Sequence, residues 1–410
     1  RKNSEQALEI FQQALDIDPD HLKILNNYGS ALAKLGRHEE AIAHYKKALA
    51  IEPNYSDAYN NLGNAYVEEG QLSAAIEGFE KAIELQPDNA RMFNNLGNAL
   101  LDSGEPKKAR EAYQKSVDLA PEQPRTHSNL LYCYQYDPGI TVDLLNDYHR
   151  AWDKNHGAPF KANWRAHKSS KNPGRRLRLG FASPDFGHHP VGFFLIKLLE
   201  NIEAKDFEIY CYSDRLKKDD MTNRLAGASR QWQDSFNLDD DALAAKIRSD
   251  KIDILFELSG HTKGNRLSMH AQKPAPVQIS WGIGYPGTTG LSAIDILLTD
   301  VYHVTPAEDD LYPEKVVRLP AGLSCYEPPS YAPAVGELPA NQNGYVTFGS
   351  FSQSRKITGE VLAAWASILA TVPDSRLLLK YSGLDDQINV ERIESAFAGE
   401  GIKPDRIIIE

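Results

Sequence analysis

Residues 60–87, NNLGNAYVEEGQLSAAIEGFEKAIELQP, carry the pattern on which the first third of the chain is built. Gly63, Phe79 and Pro87 are matched by a glycine, an aromatic residue and a proline 34 positions earlier and again 34 positions later. A period of this length, with small and aromatic residues in fixed places, indicates units of two antiparallel helices. The small residue lets the two helices approach closely, and the proline ends the second helix.

The repeats extend over residues 1–134, and their period of 34 residues is that of the tetratricopeptide repeat. Each unit buries its apolar face against its neighbours, so successive units are predicted to stack into a superhelix. Residues 1–20 supply only the second helix of a unit, and the chain begins with Arg1. We therefore expect the array to continue towards the N-terminus in a longer parent protein.

One polar column of the repeats calls for an explanation, because asparagine is a poor helix former. It contains Asn27, Asn61, Asn95 and Asn129. A preference for asparagine near the start of a helix is one explanation. The other is a ladder of side-chain amides along the concave face, each offering a donor and an acceptor to the backbone of an extended peptide. The repeats alone leave both explanations open.

The rest of the chain shows short apolar runs that alternate with helical patterns, which predicts parallel β-α-β units. We assign residues 177–325 to a Rossmann-like lobe and residues 344–410 to the first half of a second, incomplete one. Residues 135–176, which include a basic run, are interpreted as a transition with a solvated linker. The proline-rich residues 326–343 are interpreted as a linker between the lobes. The predicted fold class is thus a helical repeat solenoid followed by α/β.

The composition is that of a soluble globular protein, with 25% charged and 41% hydrophobic residues among 410. A net charge of −11 argues against a general nucleic-acid or membrane-surface binder, which would carry a basic excess. The three cysteines are far apart and form no CxxC pair, which argues against disulfides and a zinc site. These features favour a cytoplasmic protein.

Four segments beyond the repeats together resemble one family of enzymes. With the repeats before them, and in this order, they resemble the protein O-GlcNAc transferases, which are two-lobed glycosyltransferases of the GT-B type with an N-terminal repeat superhelix. The short linker near residue 335, without a long insertion, is similar to bacterial members. The segments are LGFASPDFGHHPVG (179–192), ILFELSGHTKGNRL (254–267), PAPVQISWGIGYPGTTG (274–290) and FGSFSQSRKI (348–357).

The resemblance also extends to the plant-type protein O-fucosyltransferases, which share this architecture. The segments ELSGHT (257–262) and VTFGSF (346–351) are closer to that branch, whereas Gln353 is closer to the GlcNAc branch. We therefore expect a protein O-glycosyltransferase that transfers N-acetylglucosamine from UDP-GlcNAc to Ser or Thr hydroxyls. Use of GDP-fucose by the same fold, and a non-catalytic repeat scaffold, stay open as alternatives.

Transfer of this kind requires the protein mainly to stabilise the negative charge on a leaving nucleoside diphosphate. A lysine suits the task because it is a compact positive charge with rotatable donors. Lys356 follows the first strand of the second lobe, and ligands of such sheets bind beyond the carboxyl ends of strands. The resemblance implies that Lys356 contacts the diphosphate and that Gln353 helps to hold the nucleotide.

Two adjacent histidines in PDFGHHPVG (184–192) raise the alternatives of a metal site, an acid–base group and an ordinary turn. Asp185 and the histidines do not form a recognisable ligand set, and the resemblance implies an enzyme without a metal or other cofactor. It also implies that His189 lies near donor and acceptor. We expect His189 to position substrate by hydrogen bonds, with a general-base role left open. His188 is expected to face solvent.

Thr262 and His261, at a predicted strand end, and Tyr285, in the GYPG loop, are weaker candidates for the lining of the cleft. Acceptors are expected to be proteins or peptides bound by the repeats. Contacts to the base and ribose of the donor are expected in the absent part of the second lobe, so the 410-residue chain by itself is expected to be inactive or nearly so. The donor sugar, the acceptor proteins, the general base and the oligomeric state stay open, with a homodimer as one candidate.

Overall fold

The computed structural model describes residues 2–167, 172, 174–329 and 331–410. They form two compact units. The first unit comprises residues 1–126 with 335–410, and the second unit comprises residues 127–334. Among the helices of the described residues, none combines the length and the apolar character needed to cross a bilayer.

The repeat region is helical, as its period predicts, and the tetratricopeptide prediction is confirmed. Each repeat is one helix pair: α2 packs on α3, α4 on α5 and α6 on α7, while α1 is the second helix of a pair. The helices are α1 (Lys2–Ile17), α2 (Leu22–Lys34), α3 (His38–Ile51), α4 (Ser56–Glu68), α5 (Leu72–Leu85), α6 (Ala90–Asp102) and α7 (Pro106–Leu119).

The glycine column explains how closely the helices of a pair approach. A Cβ added to Gly63 in α4 would lie 2.7 Å from the ring of Phe79 in α5, which is too close for a real contact. Gly97 in α6 faces Tyr113 in α7 in the same way. Both rings are buried, so the pairing of a glycine with an aromatic residue sets the helix spacing within each repeat.

The second unit is built on a seven-stranded parallel sheet of the order β3-β2-β1-β4-β5-β6-β7. The reversal of strand order between β1 and β4 is typical of doubly wound folds, in which ligands bind beyond the carboxyl ends of the strands. The strands are β1 (Leu177–Ser183), β2 (Phe207–Ser213), β3 (Gln231–Asp234), β4 (Ile254–Glu257), β5 (Val277–Trp281), β6 (Ile296–Thr299) and β7 (Lys315–Arg318).

Helices precede this sheet and cover both of its faces. Phe181 of β1 packs in one core with Leu195, and Ala182, on the opposite face, packs in another core with Ile247. The helices are α8 (Pro124–Tyr134), α9 (Val142–Trp152), a π-helical turn (Asp153–Gly157), a 3-10 helix (Ala158–Asn163), α10 (Pro190–Asn201), α11 (Asp220–Ala228), α12 (Asp240–Ser249), α13 (Leu267–Ala271) and a 3-10 helix (Pro306–Leu311).

The first unit ends in a smaller parallel sheet of the order β10-β9-β8. Its core includes Leu377 and Leu379 of the central strand and Ile393 and Phe397 of the last helix. The elements are α14 (Ala340–Asn343), β8 (Thr347–Ser350), a 3-10 turn (Ser354–Lys356), α15 (Gly359–Thr371), β9 (Arg376–Leu379), α16 (Gln387–Gly399), a 3-10 turn (Pro404–Arg406) and β10 (Ile407–Ile409).

The predicted alternation of strands and helices is confirmed, but the sequence patterns miss several short elements, among them β3, β7 and α11. The sequence of β3 is QWQD, which is too polar to stand out as a buried strand. It lies at the edge of the large sheet, where a strand has a neighbour on one side only. Apolar periodicity is weakest in such strands because little of their surface is buried.

The segment interpreted as a transition, residues 135–176, contains folded elements: α9, the π-helical turn and the 3-10 helix after it. Part of its basic run, residues 168–171 and 173, lies outside the described residues. Within the described part, Arg175 forms a two-pronged ion pair with Asp253, with 2.6 Å between Nη2 and Oδ1. The run is therefore anchored to the large sheet at this residue.

Candidate functional site

Residues 353–356, here named the β8 turn, follow β8 at its carboxyl end and contain both Gln353 and Lys356. The Lys356 side chain is exposed, and no carboxylate of the described residues pairs with its ammonium group. The backbone N–H of Lys356 donates to the carbonyl of Gln353 over 2.9 Å, which closes the turn. The turn therefore presents an unpaired positive charge, which is what binding of an anion requires.

The side-chain amide of Gln353 is held at both ends. Its Nε2 donates to the hydroxyl of Tyr381 over 3.0 Å, and its Oε1 accepts from Nε of Arg355 over 2.5 Å. A guanidinium group can only donate, so Arg355 determines which end of the amide is the oxygen. Both ends keep capacity for a second hydrogen bond, so Gln353 can offer a defined donor and acceptor to a ligand.

The β8 turn is tied to helix α16. The buried hydroxyl of Ser354 donates to Oδ1 of Asn389 over 2.6 Å. Arg392 donates to the carbonyl of Ile357 over 2.6 Å and to Oγ of Ser354 over 2.9 Å. The packing of α16 on the small sheet thus sets the position of the turn.

In the second unit, His189 is the N-cap of α10. Its Nδ1 accepts a hydrogen bond from the backbone N–H of Val191 over 3.3 Å, and Pro190 occupies the first helical position, where no N–H is needed. In the neutral ring the proton is then on Nε2, which lies 3.8 Å from Oδ1 of Asp185. The free edge of the ring is a hydrogen-bond donor, which fits a positioning role better than that of a general base.

Asp185 lies at the carboxyl end of β1, in the same loop. Burial raises the pKa of its carboxyl group, whereas His189 and Arg215 oppose that rise. Its backbone N–H donates to Oγ of Ser183 over 3.0 Å, which anchors the loop to the strand. A carboxyl group with a raised pKa beside a half-exposed imidazole is a candidate proton acceptor. In the sequence, Asp185 stands out only as a possible metal ligand, a role that the sequence argues against.

His188, Asp219 and Asp220 form the one group in the described part of the chain whose ligand atoms could surround a metal ion. His188 is exposed, and its Nε2 lies 2.8 Å from Oδ1 of Asp220. Asp219 already accepts hydrogen bonds from the backbone N–H of His188, from Arg215 and from the N–H of Thr222. These bonds are those of a helix cap with an ion pair, so the group is explained as the start of α11.

Glu257, the last residue of β4, is a buried acid that the sequence analysis misses. Its Oε1 accepts from the backbone N–H groups of Ser259 and Gly260 over 2.7 and 2.8 Å. Burial raises the pKa of Glu257 to about 7 and Asp185 adds to the rise, although the two hydrogen bonds oppose it. The signal available in the sequence is a single charge inside the apolar run ILFELSG.

Thr262 lies in the turn after β4 and is partly exposed. Its hydroxyl donates to the carbonyl of Ser259 over 2.7 Å, which closes the turn. The oxygen keeps its capacity to accept a hydrogen bond. Contact between Thr262 and substrate stays a prediction.

Tyr285 lies in a buried cluster of histidine and aromatic side chains. Its residue exposure is 2%, and its hydroxyl lies 2.7 Å from Nε2 of His149. Burial lowers the pKa of His149 to about 4 and raises the pKa of Tyr285 well above its ordinary value. The pair is therefore neutral. Contact between Tyr285 and substrate stays a prediction, and the hydroxyl already has a partner inside the protein.

His261 belongs to the same cluster and is fully buried. Its Nδ1 lies 3.0 Å from Oγ of Ser128, and its Nε2 lies 2.9 Å from the carbonyl oxygen of Thr289. Burial holds the pKa of His261 well below its ordinary value, and the nearby His149 lowers it further. Both ring nitrogens have partners, so His261 ties α8 to the loops beyond the sheet.

The asparagine column forms a ladder of side-chain amides between successive repeats. Nδ2 of Asn61 donates to Oδ1 of Asn26 over 2.9 Å, and Nδ2 of Asn95 donates to Oδ1 of Asn60 over 2.9 Å. Each donor therefore bonds an asparagine of the previous repeat, a partner that the sequence analysis does not anticipate. Peptide binding stays a prediction for the whole column, Asn27, Asn61, Asn95 and Asn129.

Four of the predicted residues follow strands, two in each unit. In the first unit, Gln353 and Lys356 share one turn with Arg355, and Tyr381 follows the neighbouring strand β9. Arg355 and Tyr381 are missed by the sequence analysis, although both lie just beyond predicted strands. In the second unit, His189 and Thr262 follow the adjacent strands β1 and β4.

Models of known families match most of the chain. The model of glycosyl transferase family 41 matches residues 154–324. Models of the tetratricopeptide repeat match residues 1–43, 29–68, 63–104 and 90–123. The repeats and the large sheet are thus recognised separately.

The chain is also similar to whole proteins. A probable UDP-N-acetylglucosamine–peptide N-acetylglucosaminyltransferase SPINDLY from Petunia hybrida is 39% identical over 65% of this chain and 29% of its own length. The probable enzyme of the same activity named SEC, from Arabidopsis thaliana, is 33% identical over 57% of this chain and 24% of its own length. The solved structure of a mutant Thermobaculum terrenum O-GlcNAc transferase matches with a TM-score of 0.87 and 31% identity over 95% of this chain and 74% of that one.

The chain therefore belongs to the O-GlcNAc transferase family, in which tetratricopeptide repeats precede a family 41 glycosyltransferase region. It spans 29% of the length of the curated Petunia relative.

Proposed function

We propose that the protein to which this chain belongs is a protein O-glycosyltransferase of the GT-B type. It transfers N-acetylglucosamine from UDP-GlcNAc to Ser or Thr hydroxyls of proteins. The names of the SPINDLY and SEC relatives support this donor and this kind of acceptor.

The observation that carries the proposal is the exposed ammonium of Lys356, which has no carboxylate partner among the described residues, in a turn shared with Gln353. The acceptor hydroxyl attacks the anomeric carbon of the donor, and the bond from that carbon to the diphosphate oxygen breaks. Lys356 stabilises the charge that develops on the departing diphosphate. Gln353 holds the nucleotide through the amide ends that Arg355 and Tyr381 orient.

His189 has a positioning role in this mechanism. Its Nδ1 caps α10, so Nε2–H donates a hydrogen bond to sugar or acceptor. The proton of the acceptor hydroxyl goes to another group, for which Asp185, with its raised pKa, is a candidate. Neither step needs a metal or another cofactor, because Lys356 supplies the positive charge that a metal would otherwise supply.

The repeats bind the acceptor protein, and the asparagine column contacts its backbone. Amide groups at a regular spacing suit an extended peptide because every peptide unit offers one donor and one acceptor. The net charge of −11 supports protein rather than nucleic-acid partners. The three widely separated cysteines support a cytoplasmic location, and a homodimer is one candidate assembly.

GDP-fucose is the second candidate donor, favoured by the segments ELSGHT (257–262) and VTFGSF (346–351). Calorimetry on the full-length protein with UDP-GlcNAc and with GDP-fucose separates the two. Tighter binding of UDP-GlcNAc, with transfer to an acceptor protein, supports the proposal. Tighter binding of GDP-fucose replaces the donor, and binding of neither contradicts the enzymatic function.

A further inference from the structure

Within the first unit, the turns at Gly70 and Gly104, each joining the two helices of a repeat, lie against helix α16 and the loops that follow the strands of the small sheet. Oγ of Ser73, in the second residue of α5, donates to Oδ1 of Asp386 over 2.5 Å, and Asp386 is also the N-cap of α16. A Cβ added to Gly104 would lie 2.6 Å from Nη2 of Arg392 and 2.9 Å from Oγ of Ser354. The repeat backbone thus approaches the same side chains that anchor the β8 turn.

Arg355 connects this contact to the candidate donor site. On one side, its Nη1 lies 3.5 Å from Oδ1 of Asp102, the last residue of the repeat helix α6. On the other side, its Nε donates to Oε1 of Gln353. The guanidinium is largely buried, with 19% of its side chain exposed. A planar group held at both edges has little freedom to rotate, so the repeat helix acts on the amide of Gln353 through Arg355.

We infer that Asp102 and Arg355 are positioning residues for donor binding, so that the repeat array forms part of the support of the nucleotide site in addition to binding acceptors. Without Asp102, Arg355 loses an ion-pair partner and holds Gln353 less firmly. The Gln353 amide can then rotate by about 180°, so that its oxygen and its NH2 group exchange places towards the nucleotide. This inference rests on the proposed function of Gln353.

The test compares Asp102→Asn, Arg355→Ala and the double variant in the full-length protein, with donor KM, kcat and the dissociation constant of UDP as measurements. Glu68→Gln is the matched control. Glu68 is the last residue of α4, as Asp102 is of α6, and its side chain has no hydrogen bond or ion pair among the described residues.

We expect Asp102→Asn to raise donor KM and the dissociation constant of UDP about two- to fivefold, as the loss of a partly exposed ion pair does. The value of kcat should stay within about twofold, since the transferring group is not touched. Arg355→Ala should have a larger effect, and the double variant should be no worse than Arg355→Ala alone, because Asp102 acts through Arg355. Unchanged donor KM in Asp102→Asn, or additive effects in the double variant, would overturn the inference.

A second measurement separates this inference from the proposed function. The backbone N–H groups of Lys356 and Ile357 are bonded inside the turn, to the carbonyls of Gln353 and Ser354, so their hydrogen exchange reports on the turn without any ligand. We expect Asp102→Asn to speed this exchange at least about threefold and Glu68→Gln to leave it unchanged. If the unmodified protein neither binds UDP nor transfers sugar, the proposed function fails, and the exchange rates alone decide whether Asp102 supports the turn.

Discussion

The carboxyl edges of the two sheets carry polar residues of opposite character. At the large sheet, three polar side chains are buried: Glu257, His261 and Tyr285. Their polar atoms are hydrogen-bonded inside the protein, either to backbone groups or to other buried side chains. At the small sheet, Lys356 is exposed and lacks a carboxylate partner among the described residues. A buried polar group costs free energy unless it is hydrogen-bonded, whereas an exposed one stays available to a ligand. Residues that follow strands thus serve either the fold or a ligand, and burial distinguishes the two.

The largest expected effect is at the exposed side of this comparison. Lys356→Ala in the full-length protein should lower kcat at least about 100-fold, because a charge that acts on the leaving diphosphate is lost. The free energy of unfolding should change by no more than about 0.5 kcal/mol, as for an exposed side chain. Lys380→Ala is the control, because Lys380 directly follows β9 of the same sheet but is already paired with Glu410, with 2.9 Å between Nζ and Oε2. Near-normal kcat in Lys356→Ala would remove the basis of the mechanism.

At the buried side, Glu257→Gln should change stability and its pH dependence. The pKa of Glu257 is about 7 in the folded protein against an ordinary value of 4.5, so ionisation increasingly opposes folding as the pH rises between these values. At pH 8 the variant should therefore be more stable by about 1–3 kcal/mol, and at pH 4 the two proteins should be similar. Urea unfolding at both pH values measures this. Equal stability at pH 8 would mean that the carboxylate is not destabilising.

The repeats provide an intermediate case, since Asn61 and Asn95 are each bonded to an asparagine of the previous repeat and are only partly buried. Replacing Asn61 and Asn95 with Ala should lower kcat/KM for protein acceptors about tenfold to thirtyfold, at roughly 1 kcal/mol for each hydrogen-bonding side chain. Short peptides that do not reach the repeats should be affected less. Asn64→Ala, an exposed asparagine of the same helix α4, is the control. An equal loss for both kinds of acceptor would make the ladder a structural feature of the repeats.

The smallest effect is expected for His189. It is intermediate between the buried and the exposed residues, because it is partly exposed and one of its ring nitrogens is already hydrogen-bonded to the backbone. His189→Ala should lower kcat/KM about tenfold or less if the ring only donates a hydrogen bond, and should cost about 1 kcal/mol of stability through the lost N-cap. His189→Asn should restore the cap but not the activity, which separates the two contributions. A loss as large as that of Lys356→Ala would instead make His189 the general base.

The repeats, the parallel sheets and the position of Lys356 beyond a strand could be predicted because each depends on a pattern within a short stretch of chain. Gly63 and Phe79 recur with the period of 34, and Lys356 stands just beyond an apolar strand. The edge strand β3 could not be predicted, since QWQD buries too little surface to leave a periodic signal. Nor does the sequence distinguish Thr262, which is partly exposed, from Tyr285, which is buried, because both follow strands.

The sequence by itself determined the class of fold, the family and the residues around which the chemistry is proposed, because helical periods, strand ends and motifs are local properties of the chain. Tertiary structure alone decided which of those residues are free and which are occupied. Ser73 meets Asp386 across 313 positions, and Asp102 meets Arg355 although nothing near either residue indicates the other. Hydrogen-bond partners and burial depend on packing between distant segments, and such packing leaves no periodic trace in a single sequence.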